Sequence, residues 1–180
     1  MRGWGSFVRR ARLPAKLAKH EGGAAAVEFA LVVVPFLFLL FGLFEIGVVY
    51  FASASFDAAV QRGARLVRTG QAQAAGMSLS EFRTAVCDGY SNLFGCESNS
   101  YFTVEVLSSL GSATYTSPVQ GDGSFVSTET FDTGAASDYM IVRGFLQFAP
   151  LFDVFGALSP GLANGNRLFV SSALFRNESF

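Results

Sequence analysis

AAAVEFALVVVPFLFLLFGLFEIGVVYF, residues 24–51, is the stretch from which the fold follows. Its 28 residues carry two charges, Glu28 and Glu45. At about 1.5 Å per residue such a helix is about 42 Å long, against roughly 30 Å of bilayer hydrocarbon. The run between the glutamates, Phe29–Phe44, covers only about 24 Å. The two carboxylates therefore fall near the two faces of a bilayer and not at its centre, where a charge costs most. Tyr50 suits the outer interface. Pro35 lacks an amide hydrogen and is expected to bend the helix locally. A cleaved secretory signal has a shorter apolar core followed by a small-residue cleavage site. Here an amphipathic pattern follows instead, so the segment reads as a retained anchor.

Charge is divided sharply around this segment. Residues 1–23 hold six cations (Arg2, Arg9, Arg10, Arg12, Lys16, Lys19) and one acid, Glu21, a net of +5. Residues 24–180 hold seven Arg, no Lys and 13 acids, a net of −6. A basic tail beside an apolar segment stays on the cytoplasmic side, which puts the C-terminal domain outside. With Pro14, Gly22 and Gly23, residues 1–23 read as a mostly disordered leader. The acidic remainder has no broad basic stretch, which argues against nucleic acid as a partner. Cys87 and Cys96 lie in the outer part, where a disulfide is chemically allowed; the alternative is two buried thiols. Closing so short a loop would stabilise the fold by about 2–3 kcal/mol.

At Ala52 the pattern changes. In ASASFDAAVQRGARLVRT, residues 52–69, Phe56, Ala59, Val60, Gly63 and Val67 recur at helical spacing, and Asp57, Gln61, Arg62, Arg65 and Arg68 fall largely elsewhere. This is an amphipathic helix continuous with the apolar one, and the pair would protrude from the membrane. Gly70 suits its C-terminal cap. Ser78–Ser80 offer N-caps for a short helix beginning near Glu81 and running toward Cys87. Residues 88–100 read as loop. Strands are expected at Tyr101–Leu107, Phe125–Phe131, Tyr139–Phe148 and Arg167–Phe175, with a Gly, Ser, Thr and Pro-rich loop over 108–123. An apolar patch, Leu151–Leu158, lies between Pro150 and Pro160. The fold class is α+β: a long N-terminal transmembrane and amphipathic helix packed on a small antiparallel sheet. The domains are a leader at 1–23, a transmembrane helix at 24–51 and an outer domain at 52–180. Phe145, Phe148, Phe152, Phe155 and Phe169 read as core; a partly exposed set would suit a subunit interface instead.

The stretch with most functional content is Glu21-Gly22-Gly23-Ala24-Ala25-Ala26-Val27-Glu28-Phe29. A basic leader ends in glycine, and five residues later a glutamate enters an apolar helix. This resembles the class III signal peptide of type IV pilins and pseudopilins, which a membrane prepilin peptidase cuts after glycine. The cut would follow Gly23 and make Ala24 the new N-terminus. Gly23 has no side chain, so an extended backbone can enter a narrow cleft there. The new ammonium would lie about 6 Å along the helix from Glu28. The resemblance implies that Glu28 pairs with the N-terminus of a neighbouring subunit. The plain alternative is an interfacial charge beside a small-residue helix start.

The rest of the chain resembles the TadE-like family, minor pseudopilins of the tight-adherence (Flp) pilus system. The matching features are Gly-Ala-Ala-Ala-Val-Glu-Phe at 23–29, a second glutamate in Phe41-Gly42-Leu43-Phe44-Glu45-Ile46-Gly47, and Arg62-Gly63-Ala64-Arg65. The tail Phe175-Arg176-Asn177-Glu178-Ser179-Phe180 is close to the family's Arg-Asn-Glu-Pro-Phe/Tyr ending. Ser179 replaces the usual proline, so a less rigid tail is expected. The resemblance implies a pilin-like fold and, as partners, the bacterial inner membrane, a prepilin peptidase, other pilin-like subunits and the pilus assembly platform. A TadF-like or short TadG-like subunit fits the same features. Glu45 has two readings: an outer-interface residue whose carboxylate snorkels to water, or a contact with another subunit or the platform. Arg62 and Arg65 read as a solvated face.

Catalysis finds little support. The sole histidine, His20, lies in the leader, and no Ser-His-Asp, Cys-His or metal-ligand cluster occurs. An enzyme would depend on carboxylates such as Asp122, Asp132 and Asp138, all in loop-like sequence. The expectation is a structural subunit without cofactor or metal. The alternative is an uncleaved single-pass anchor presenting a periplasmic binding domain.

Overall fold

In the computed structural model the described residues are 21–90, 93–152 and 161–180. The leader up to His20, Phe155 and most of the patch Leu151–Leu158 lie outside them. The chain divides into two compact units, residues 1–40 and 41–180. Helix α1, Glu21–Arg68, is assigned without interruption and includes Pro35. It already includes Glu21, Gly22 and Gly23, which the sequence placed in a disordered leader. Two glycines cost a helix about 1 kcal/mol each relative to alanine, and the Ala24–Ala26 run beside them favours propagation.

In the first unit, the described side chains from Gly23 to Leu40 are exposed except for half-buried Val33. The second unit is α+β. Short helix α2 (Gln71–Ala74) is followed by α3 (Leu79–Gly89) and α4 (Cys96–Asn99). The strands are β1 (Ser100–Leu107), β2 (Thr130–Phe131), β3 (Tyr139–Phe148) and β4 (Arg167–Arg176). They form one four-stranded sheet in the order β2-β1-β3-β4.

The buried stripe of α1 is the one its spacing predicts. Phe56, Ala59, Val60, Gly63, Ala64 and Val67 are all buried. They face β3 and α3 at close range. A Cβ added at Gly144 of β3 would lie 2.7 Å from Val60 Cγ2, and one at Gly63 would lie 2.5 Å from Val86 Cγ2 of α3. Both glycines are thus what lets helix backbone approach its neighbours. Phe82, Phe102 and Phe148 complete the core. Phe82 meets Phe102 edge-on at 5.6 Å between ring centroids. Burying each such ring contributes about 1.5–3 kcal/mol.

Helix α3 starts at Leu79 because Ser78 and Glu81 form a reciprocal cap. The Glu81 amide donates to Ser78 Oγ, and the Ser78 amide donates to Glu81 Oε2 at 2.7 Å. The Ser78 amide and hydroxyl hold the Glu81 carboxyl below its ordinary range. At the other end Tyr90 is buried, and its hydroxyl donates to the Ala52 carbonyl of α1. Burial pushes that hydroxyl up to about 12.

Three expectations are corrected here. The sheet is mixed and not wholly antiparallel: β1 pairs antiparallel with β3 but parallel with β2. The strand expected over Phe125–Phe131 shrinks to Thr130–Phe131, plus an isolated bridge from Phe125 to Val119. The reason is Glu129. Its carboxylate accepts the Phe102 amide at 3.0 Å, where a strand carbonyl would otherwise sit, and is held by Arg83 at 2.6 Å. Finally, residues 88–100 are not all loop. Gly95, in the left-handed conformation, leads into α4, whose first residue Cys96 is bonded to Cys87. Four helical residues are too few to show a period.

The Phe set also divides. Phe145 and Phe148 are core, and Phe169 packs against the core half-buried. Phe152 is exposed, its ring 5.3 Å from that of Phe41, because the chain has left the sheet after Phe148.

The disulfide joins α3 to α4 across nine positions. Reducing it should lower the unfolding free energy by about 2–3 kcal/mol. Urea unfolding of the detergent-solubilised protein with and without reductant measures this; coincident curves would mean that the bridge contributes nothing.

Candidate functional site

Gly23, Ala24 and Glu28 lie within one turn or so of α1 and are all exposed. Nothing stands within 4 Å of the position a Gly23 side chain would occupy. On a helix, residues four apart are about 6 Å apart along the axis. Around and beyond Glu28 the helix shows Phe29, Leu31, Val32, Phe36, Phe38 and Leu39 on all its sides. Such a surface is unsuited to water, and α1 is long and apolar enough to cross a membrane.

Glu45 is placed differently from Glu28. It belongs to the second unit and is only 2 % exposed. It lines an apolar groove of about 560 Å³ with Ile46, Val49, Tyr50, Ser53, Arg167 and Phe169. The covering residues 167 and 169 come from β4, more than a hundred positions along the chain. No local pattern around Glu45 announces that.

Arg62 and Arg65 are both on the exposed face of α1. Arg62 Nη2 donates to the carbonyl of Gly89 and so ties the end of α3 to α1. Arg65 is exposed. Gly63 and Ala64 between them are buried. The Arg-Gly-Ala-Arg segment is thus half packing device and half surface.

The tail docks on the end of this helix. Gly70 follows α1 in the left-handed conformation, φ 77°, which suits glycine. The Phe180 ring lies where a Gly70 side chain would project, 2.4 Å from that position. The Glu178 amide donates to the Arg68 carbonyl at 2.9 Å, and its carboxylate pairs with Arg68 at 3.3 Å. Asn177 is buried and donates from Nδ2 to the carbonyls of Thr133 and Ala135, at 3.1 and 3.0 Å. Arg176 donates to the Ser137 carbonyl and lies over the Tyr139 ring. The tail expected to be less rigid is held at Arg176, Asn177, Glu178 and Phe180, and Ser179 leaves those contacts in place.

The carboxylates weighed for catalysis are engaged in turns. Asp122 accepts the Ser124 hydroxyl and amide, which hold its carboxyl below the ordinary range. Asp132 accepts the Gly134 amide and Asp138 the Ala135 amide. Among the described residues no cluster of three His, Cys, Asp or Glu could hold a metal ion.

Residues 23–65 match the family model described as TadE-like protein. The family that the sequence resembles is the family whose model matches, over this helix alone. The matched span includes Gly23, Ala24, Glu28, Glu45 and Arg62–Arg65; the tail lies beyond it. No curated protein and no solved structure matches the chain.

The tail contacts yield a graded expectation. Asn177→Ala removes two donors from buried surroundings and should cost about 1–3 kcal/mol. Glu178→Gln weakens an exposed pair and should cost less than about 1 kcal/mol. Urea midpoints for the two variants test the ranking; an Asn177→Ala midpoint equal to wild type would show that the tail does not fasten the domain.

Proposed function

We propose that the chain is a minor pilin-like subunit that takes part in assembling a tight-adherence pilus. The observation that carries this reading is the spacing from Gly23 to Glu28 on a helix exposed and apolar on every side, within the span that matches the TadE-like model. The leader is cytoplasmic, α1 crosses the inner membrane and the disulfide-bonded domain is periplasmic. The +5 leader and the disulfide both favour that orientation.

Processing takes place between Gly23 and Ala24. This bond lies inside α1, so the peptidase unwinds the first turn to reach it. Gly22 and Gly23 make that unwinding cheaper than it would be in an alanine run. Cleavage leaves an ammonium at Ala24. In a bundle of such helices, that ammonium or the one on a neighbouring subunit faces the Glu28 carboxylate in a region of low dielectric. There an unpartnered charge is expensive, and pairing favours association. The role is structural, and no reaction is assigned to the domain.

Intact-mass analysis of membrane-extracted protein should show loss of residues 1–23, and Gly23→Leu should abolish that loss. A full-length mature form in cells with an active prepilin peptidase would instead indicate an uncleaved anchor.

Glu28→Gln should leave cleavage and the domain fold unchanged but break association. One charged hydrogen bond is worth about 1.5–3 kcal/mol, so recovery of pilin-like partners and the count of surface pili should fall about tenfold or more. Normal pili with normal partner recovery would reduce Glu28 to an interfacial charge.

A further inference from the structure

Strand β4 is the outermost strand of the sheet, and its ten residues pair with β3 on one side only. The opposite edge is the two-residue strand β2, too short to template anything. Natural edge strands of this length are usually blunted by proline, lysine, a bulge or a covering element. Arg167–Arg176 contains no proline, glycine or lysine, and its only charges are at its two ends.

The ladder shows which backbone groups face away from β3. Ser172 offers its carbonyl to the side chain of Gln61, so that carbonyl points away from β3. In an antiparallel ladder the outward residues alternate, so Val170 and Leu174 turn their amides and carbonyls to the same open edge. Their side chains stand 45 % and 48 % exposed. Among the described residues no other backbone bond is made there.

A groove of about 390 Å³ runs along this edge, between Ser172–Phe175 of β4 and Gln61, Ala64, Arg65 and Arg68 of α1. Arg68 is paired with Glu178, while Arg65 forms no ion pair with a described carboxylate. One wall of the groove therefore presents a single cation without an ion pair to a described carboxylate, Arg65, and the far side of the strand carries exposed valine and leucine.

We propose that β4 accepts an extended acidic segment of another protein as a fifth strand, alternating acidic and apolar residues. A strand's side chains alternate between faces. The carboxylates would meet Arg65 and Arg68 on the helix side, and the apolar side chains would cover Val170 and Leu174 on the other. Main-chain bonds would supply affinity and the alternating side chains specificity. A second copy of this chain is a poorer occupant. Symmetric pairing of two β4 edges about Ser172 sets both helices on one face and brings Arg65 and Arg68 of both copies to a single seam, where like charges repel.

The test uses the full chain in detergent micelles and a capped octapeptide of alternating glutamate and valine. The controls are the lysine–valine octapeptide and the glutamate–valine octapeptide N-methylated at alternate residues. Fluorescence anisotropy should show the acidic peptide binding about tenfold or more tightly than either control, the factor one charge-assisted hydrogen bond carries. Arg65→Glu, at an exposed position, should weaken it by a similar factor. Hydrogen exchange should slow at the amides of Val170, Ser172 and Leu174 when the peptide is bound. Equal binding of the lysine peptide, or no binding with unchanged exchange, would overturn the proposal. So would concentration-dependent dimers that protect the same three amides without peptide, since the occupant would then be a second copy.

Discussion

A helix bonds its backbone along its own axis, and under the proposed function this is what would allow α1 to serve two solvents. Its carbonyls and amides need neither water nor a neighbouring strand, so the segment can pass from lipid to a protein core with little backbone polarity unsatisfied. Only the side chains change. From Phe29 to Leu40 they are apolar on all sides. From Ala52 they are apolar on one stripe, which lies on β3 and α3 with Gly63 within it and Gly144 beneath it. Pro35 leaves the Leu31 carbonyl without its helical donor, and the helix continues past it.

The other elements of the domain attach to that stripe. Arg62 holds the end of α3, the Tyr90 hydroxyl holds Ala52, and the tail fastens itself to Arg68 and Gly70. The bonds to Gly89, Ala52 and Arg68 use backbone carbonyls, so they depend on chain geometry more than on the identity of the accepting residue. The disulfide adds a covalent tie between α3 and α4, next to the point where the chain enters β1. The family resemblance thus covers two kinds of residue. Gly63, Asn177 and Phe180 serve packing and closure. Gly23, Ala24 and Glu28 are exposed, and under the proposed function their partners are a peptidase and other subunits.

What the sequence revealed depended on how local the cause was. The buried stripe of α1 was legible because its period is contained in the twelve residues from Phe56 to Val67. The strands β1, β3 and β4 were legible from β-branched and aromatic content, each to within one residue at either end. Strand β2 was not, because its start is decided by Glu129 taking the Phe102 amide, a contact across 27 positions. The burial of Glu45 was not legible either, since β4 covers it from the far end of the chain. The tail stood out only through its likeness to a family ending; its hydrogen bonds to residues 133–135 leave no trace in its own six residues. The disulfide was readable as an allowed pairing, while α4, which presents Cys96, was too short to foresee.

Whether α1 passes from lipid to water, as the proposed function requires, can be read with single cysteines. Cys87 and Cys96 are bonded to each other, so an introduced thiol is read without background from them. Cysteines at Phe36, Tyr50 and Asp57 would be treated in intact inner-membrane vesicles and spheroplasts with a membrane-impermeant maleimide. The account predicts labelling of Tyr50→Cys and Asp57→Cys from the periplasmic side and none of Phe36→Cys from either side. Labelling of Phe36→Cys, or of Asp57→Cys only from the cytoplasmic side, would contradict it.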